Sequence, residues 1–138
     1  MKLVLGLAER NVAASILTSK KQGDLGTARM MRAVRKSLQL MDLADDIQKM
    51  VDDAKELGTN PPDWDDLLRM NEEQEFEISK ETAEWLRTEL MNKDWSMFEV
   101  RGENNKVEKI NAPVPPGQME AVANLADILE SALNRDQS

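Results

Sequence analysis

The segment that most restricts how this chain can fold is residues 23–41, GDLGTARMMRAVRKSLQLM. At 3.6 residues per turn, its apolar and basic side chains separate onto two sides of one helix. The apolar side consists of Met30, Met31, Val34, Leu38 and Met41. Asp24 or Thr27 can cap the start of this helix by accepting hydrogen bonds from its unpaired backbone N–H groups. The spacing therefore predicts an amphipathic helix that packs one face onto a core.

The other side of this helix is basic, although the chain carries a net charge of −8. Residues 1–39 hold eight Lys or Arg against two acids, whereas residues 40–99 hold six against eighteen. The cations that could contact phosphate groups are Lys20, Lys21, Arg29, Arg32, Arg35 and Lys36. Binding of nucleic acid through helix 24–40 is therefore one alternative function, and it would weaken steeply with salt. The other interpretation is a solvated helix edge.

The length of 138 residues favours a single domain, 1–138, with a core of its own. Aromatic residues make up only 4% of the chain, so Leu, Ile, Val, Ala and the nine Met must supply the core. Such a core suits packed helices better than a β-sandwich, which uses aromatic and β-branched residues.

Cysteine and histidine are absent from the sequence. Thiol and imidazole chemistry and zinc fingers are therefore excluded. The longest apolar run falls far short of the ~18 residues that would span a bilayer. Glu9 and Arg10 interrupt the first apolar stretch, which argues against a secretory signal. We therefore expect a soluble, intracellular protein with no membrane partner.

The remaining periodicity predicts a mainly α fold, a compact bundle of about five helices. Besides helix 23–41, the predicted helices are 3–19, 43–57 with Asp42 as its cap, 80–92 with Ser79 as its cap, and 118–133. In the last helix, the predicted apolar face is Met119, Val122, Ala126, Leu129 and Leu133, with Leu125 and Ile128 beside it. Short strands or a small β-hairpin are expected near 75–78 and 97–110, and residues 64–70 could form one or two helical turns.

Helix 43–57 has apolar residues at alternating spacings of four and three. They are Leu43, Ile47, Met50, Ala54 and Leu57. This pattern is a heptad seam of about two heptads, shorter than a coiled coil requires. It predicts a stripe that faces the core, and a dimer seam is the alternative.

Acidic residues cover the opposite side of this helix and the segment that follows it. The predicted partner-binding residues are Asp45, Asp46, Asp52, Asp53, Asp63, Trp64, Asp65 and Asp66. The residues at 63–66 do not fit a calcium-binding loop. In a loop that starts at Asp63, Leu68 occupies the position that requires glycine and Gln74 the position that requires glutamate. A helix N-terminus, whose dipole favours acidic residues, explains this group better. We expect Trp64 to be an exposed anchor.

The order of these features resembles a set of small proteins encoded by phages and prophages. The matching residues lie between 3 and 93 and are Leu5, Gly6, Leu7, Glu9, Arg10, Ile16, Leu17, Gly23, Asp24, Leu25, Thr27, Arg29, Arg32, Leu38, Asn60, Pro61, Trp64, Glu77, Ile78 and Ser79. The resemblance implies a phage origin and a mostly helical fold, with a location in the cytoplasm of an infected or lysogenic bacterial host or in the virion. It supplies no activity and no functional residues.

The sequence favours non-catalytic binding to a protein partner as the function. A compact acidic protein can occupy a basic surface on a host or viral protein, where its carboxylates take the place of phosphates. The alternatives are a structural, self-associating component of a virion or its assembly, and nucleic-acid binding. Carboxylates are plentiful, but no pair lies in a sequence context that indicates a catalytic cleft. We therefore predict no enzymatic activity, no cofactor and no metal.

Overall fold

A computed structural model describes residues 1–19, 23–69, 73–95, 97–101, 107–111 and 115–137 of the chain. Six helices and four short strands lie within these ranges. In chain order they are β1 (Lys2–Leu5), α1 (Leu7–Ser19), α2 (Leu25–Ser37), α3 (Leu40–Leu57), α4 (Trp64–Arg69), β2 (Gln74–Glu77), α5 (Lys80–Asn92), β3 (Met97–Arg101), β4 (Val107–Asn111) and α6 (Pro116–Gln137). The mainly α class and the minor β component are as predicted.

The first element, β1, is a strand where periodicity predicted that helix 3–19 begins. It pairs antiparallel with β2, so that Leu3 lies opposite Phe76 and Leu5 opposite Gln74. Leu3, Leu5 and Phe76 are buried on the inner face of this two-stranded sheet. The helix prediction was wrong for the first residues because their pairing partner lies far later in the sequence, and local spacing does not report such contacts.

The second sheet is the hairpin expected between residues 97 and 110. β3 and β4 pair antiparallel, with Phe98 opposite Ile110 and Arg101 opposite Val107. The connecting residues 102–106, where most of the turn was expected, lie outside the described residues.

The core is centred on α1 and α6, which pack against each other, and α6 also packs against β1. Buried side chains on α1 repeat at helical spacing and include Val12 and Ile16. α5 adds a buried row to the same cluster, and its N-cap is Ser79 as predicted, with Ser79 Oγ accepting a hydrogen bond from the Thr82 N–H at 3.1 Å. One cluster of buried residues thus joins the strands β1 and β2 to all the helices described.

α6 is longer than predicted, and its buried face is rotated from the predicted one. The centre of the buried face is Leu125, Leu129 and Leu133, whereas Met119 is exposed and Val122 only partly buried. The prediction placed Leu125 beside the main face, because a broad apolar stripe does not by itself define which edge packs inward.

The helix predicted over residues 23–41 is divided between α2 and α3. α2 begins as expected after Asp24, whose Oδ1 accepts a hydrogen bond from the Thr27 N–H at 2.7 Å. It ends at Ser37, and Gln39 then adopts the left-handed conformation, with φ 52°. This turn removes Met41 from the apolar face of α2, and its side chain is 68% exposed. The expected continuation to Met41 and the expected cap at Asp42 were therefore wrong.

The apolar seam of α3 faces the core, as its interpretation as a core stripe predicted. Leu43 and Ala54 are buried, and Ile47 and Met50 pack against the core cluster. Only the end of the seam departs from this, since Leu57 is 77% exposed. A dimer built on the whole seam would therefore require α3 to leave its own core.

Candidate protein-binding surface

The acidic face of α3 is an exposed stripe of carboxylates on the side opposite the core. Its members recur three, four or seven residues apart, which keeps them on one side of a helix. They are Asp42, Asp45, Asp46, Asp52, Asp53 and Glu56. All six are exposed to solvent, including the four carboxylates that the sequence selected on this helix. At ~1.5 Å per residue, the stripe extends for about 21 Å along the helix.

The carboxylates of the acidic face of α3 are not held in close ion pairs in the part of the chain that the structure describes. Across the described part of the chain, none of its six carboxylates forms an ion pair within 4 Å, although Lys49 lies between them on the same side. Asp52 accepts a hydrogen bond from Gln48 Nε2 at 3.1 Å, within the same helix. The six carboxylates therefore remain available to cations from another molecule.

The second predicted acidic group, at residues 63–66, has a local structural role. The Asp66 N–H donates to Asp63 Oδ1 at 2.9 Å, and the Asp63 N–H donates to Asp66 Oδ2 at 3.1 Å. This reciprocal pair caps the first turn of α4. Asp66 also forms an ion pair with Arg69 one turn later. The prediction of a helix N-terminus here was correct, and two of the four residues are engaged in building it.

Asp66 is held in its charged form by these contacts. The hydrogen bond from the Asp63 backbone N–H is the main cause that lowers the pKa of Asp66 below its ordinary value, and Arg69 adds to it. A carboxylate that accepts hydrogen bonds in its ionised form resists protonation. The cap of α4 is therefore strongest above the ordinary pKa of an aspartate and is lost as the pH falls through the lowered value.

Trp64 and Asp65 complete this group but do not share one environment. Trp64 is only partly exposed and packs against the core, so the expectation of an exposed anchor was wrong. Asp65 is exposed, and its backbone lies close to Gly117 of α6. α4 packs on α1 and α6, whereas α3 packs on α1 and α2. The two acidic groups thus belong to elements with different neighbours.

The basic stripe of α2 is exposed along most of its length. Arg29, Arg32 and Lys36 are exposed and Arg35 is partly buried, and no ion pair involves any of them among the residues that the structure describes. Lys20 and Lys21, the other two predicted phosphate contacts, lie outside the described residues. Consecutive helices of the protein therefore display opposite charges to solvent.

Arg10 is a structural residue whose role the sequence analysis missed. Its side chain is 4% exposed, and it donates from Nε to the Leu38 carbonyl at 3.0 Å and from Nη2 to the Gln39 carbonyl at 2.8 Å. The guanidinium also lies 4.9 Å from the centre of the Phe76 ring. Arg10 is seven residues before Leu17 and so lies on the buried side of α1. A lone arginine on an apolar helix face is the signal that could have identified it.

The electrostatic environment of Arg10 connects it to the acidic face of α3. Burial lowers the pKa of Arg10, and the carboxylates of Asp46 and Asp42 oppose that shift. These two residues thus stabilise a buried cation at the α2–α3 junction while their side chains stay exposed. The remaining four carboxylates of the stripe have no such internal role among the described residues.

Comparisons with protein-family models, with curated proteins and with solved structures found no match. Over the described ranges, no three acidic side chains are grouped in a way that could hold a metal ion. The helices found there include none with the length and apolar content needed to cross a membrane. The candidate surface therefore has to be interpreted from its own geometry and charge.

Proposed function

We propose that this protein acts without catalysis, by binding a basic surface of another protein through the acidic face of α3. The observation that supports this most directly is the stripe of six exposed carboxylates without ion-pair partners. Such a surface speeds association with a basic partner through electrostatic attraction. Because the helix is already folded and packed on the core, little ordering of the protein is required on binding.

The partner class that suits this surface is a host or viral protein that handles nucleic acid. Proteins of this class carry rows of Lys and Arg that neutralise phosphates. Carboxylates along about 21 Å of a rigid helix could occupy such a row in place of phosphates. In this proposal the protein is a phage-type accessory protein that regulates or inhibits its target in the cytoplasm of the bacterial host.

The experiment compares the protein with two variants that carry equal changes of charge. The first neutralises the acidic face of α3 with Asp45→Asn, Asp46→Asn, Asp52→Asn and Asp53→Asn. The control neutralises four exposed carboxylates elsewhere, with Glu81→Gln, Glu84→Gln, Glu120→Gln and Glu130→Gln. Each protein is immobilised and exposed to bacterial extract, and retained proteins are identified and purified.

We expect a basic protein that is retained by the wild type and the control but lost by the α3 variant. With the purified partner, the association rate of the wild type should fall by about tenfold or more between low and high salt. Equal retention by the α3 variant would contradict the proposal.

Nucleic-acid binding remains a second candidate, because the basic stripe of α2 is exposed and has no ion pairs among the described residues. Light scattering with a DNA duplex, across a series of salt concentrations, separates the two functions. The acidic-surface proposal expects the mass of a free monomer. A complex that dissociates with salt, and that is weakened by Arg29→Ala with Arg32→Ala, would favour α2 instead.

A further inference from the structure

The backbone of β1 has one paired edge and one open edge. Met1 and Ile78 exchange both backbone hydrogen bonds, each at 2.9 Å, and therefore form a hydrogen-bonded pair. In an antiparallel ladder such pairs alternate with pairs that are not hydrogen-bonded. Given the register of β1 and β2, the backbone N–H and C=O groups of Leu3 and Leu5 form the hydrogen bonds to β2. The backbone N–H and C=O groups of Lys2 and Val4 consequently point away from β2.

An open cleft of about 520 Å³ lies between β1 and the flank of α6. Its walls include Lys2, Val4 and Glu75 from the sheet, and Asp127, Ile128 and Arg135 from α6. Val4 is 46% exposed although it is a large apolar residue in a strand. Over the described ranges, no backbone group bonds to Lys2 or Val4 from this side. The cleft thus combines unpaired strand backbone with an exposed apolar surface.

The charges in the cleft define what it can accept. Lys2 Nζ lies 3.1 Å from Glu75 Oε1, so these two charges neutralise each other. Asp127 on the facing helix is exposed and forms neither an ion pair nor a hydrogen bond within the described part of the chain. Arg135 also lines the cleft and donates from Nε to the Ser131 carbonyl at 3.4 Å. Asp127 is therefore the carboxylate of the cleft that a basic side chain of a ligand would find as a partner.

We propose that this cleft binds an extended peptide segment of a partner protein, which adds to β1 as a third strand. The segment would exchange backbone hydrogen bonds with Lys2 and Val4, in the manner of β-strand addition. Its side chains would alternate between an apolar residue against Val4 and Ile128 and a lysine or arginine near Asp127. This surface is separate from the acidic face of α3 and does not depend on the function proposed for it.

A single extended segment fits the cleft better than a second copy of the protein. The open edge of β1 in another copy would be accompanied by that copy's own α6, which packs beside the strand. A free segment carries no such element, and its backbone alone provides the required donors and acceptors.

The test uses a blocked hexapeptide of alternating lysine and valine, titrated into the isotopically labelled protein and followed by NMR. We expect weak binding, with Kd on the order of 10⁻⁴ M, because only two residues of β1 offer their backbone. Amide exchange should slow at Lys2 and Val4 and remain unchanged at Leu3 and Leu5, which already bond to β2. Shift changes confined to α3, with none at β1, would overturn the proposal.

Three controls make the result specific. Val4→Pro removes an N–H that faces away from β2, so it should preserve the fold, checked by circular dichroism, and weaken binding about tenfold. Asp127→Asn should weaken binding a few-fold, and a glutamate–valine hexapeptide should bind less than the lysine peptide. A lysine–valine peptide that is N-methylated at every residue should not bind, whichever protein is used, because neither edge of the peptide then offers an N–H donor.

The variant that carries the four Asp→Asn changes on α3 separates this proposal from the preceding one. Its binding of the peptide should be unchanged, because α3 does not line the cleft. Undiminished binding to the Val4→Pro protein, or to the N-methylated peptide, would show that the peptide does not extend the sheet. No binding of the lysine–valine peptide at millimolar concentration would also overturn the proposal.

Discussion

At the scale of single residues, Arg10 holds together the junction of α2 and α3. The carbonyl groups at the end of a helix have no partners inside it and carry the negative end of its dipole. Arg10 donates to the Leu38 carbonyl at the end of α2 and to the Gln39 carbonyl at the start of α3, and its guanidinium lies over the Phe76 ring. Gln39 can therefore remain in the left-handed conformation, which is uncommon for a residue other than glycine.

We expect Arg10→Met to lower the free energy of unfolding by about 2–4 kcal/mol, because it removes the donor of the Leu38 carbonyl and the contact with Phe76. The Gln39 carbonyl would keep its hydrogen bond from the Leu43 N–H. Arg10→Lys should recover only part of this loss, since a single ammonium group cannot reproduce the planar, two-donor geometry. Urea unfolding followed by circular dichroism provides the measurement.

The matched control for Arg10 is Arg32→Met, at an exposed arginine of α2 that forms no ion pair among the described residues. Arg32→Met should change the free energy of unfolding by no more than about 0.5 kcal/mol. If Arg10→Met and Arg32→Met lowered the free energy of unfolding equally, the burial of Arg10 would not determine its contribution to stability.

At the scale of elements, α4 and the start of α6 approach each other closely at Gly117. A Cβ atom added to Gly117 would lie 2.5 Å from Asp65 Oδ1, 2.9 Å from Trp64 Cβ and 3.0 Å from the Asp65 backbone nitrogen. The carboxylate could rotate away, but the backbone atom and Cβ could move only if one helix shifted. Glycine at this position allows α4 to pack against α6.

We expect Gly117→Ala to destabilise the protein by about 1–2 kcal/mol, although alanine is the better helix former. Thermal unfolding measures the change, and the fluorescence of Trp64 should report a rearrangement of α4. Gly23→Ala is the control, because an added Cβ there meets nothing within 4 Å. An unchanged or higher melting temperature for Gly117→Ala would contradict the close packing described.

Most of each helix, and the caps Asp24 and Ser79, could be predicted from the sequence, because both depend on residues close together in the chain. Asp24 and Ser79 cap their helices as expected, and the α3 seam faces the core. The strand character of β1 could not be predicted in this way, since it depends on pairing with β2. The break at Gln39 was missed for a similar reason, because Arg10 stabilises it from another helix.

At the scale of the whole molecule, charge is separated between elements more than it is paired. Lys2 forms an ion pair with Glu75 and Arg69 with Asp66, whereas no ion pair involves the acidic face of α3 or the basic stripe of α2 among the described residues. The net charge of −8 therefore acts mainly as repulsion within the acidic part of the surface. The exposed acidic positions of α3 could be predicted from sequence spacing. The capping role of Asp63 and Asp66 became evident only from their hydrogen bonds in the structure.

We expect the free energy of unfolding to rise by about 1 kcal/mol when NaCl increases from ~20 mM to ~500 mM, because salt screens this repulsion. Urea unfolding at the two salt concentrations measures the change, since urea itself carries no charge. The variant with four Asp→Asn changes on α3 should show a smaller rise. A fall in stability with salt would mean that attractive charge pairs dominate instead.

The placement of β1 also has a consequence for how the protein is made. Leu3 and Leu5 share one buried cluster with Leu125 and Leu129 of α6, at the opposite end of the described chain. At ~5–20 residues per second, a ribosome needs on the order of ten seconds to synthesise the residues between them. For more than half of that interval β2 has not been made, and until its end α6 is incomplete. This core is therefore completed only after α6 has been made, and until then Leu3 and Leu5 are apolar side chains without their native cover.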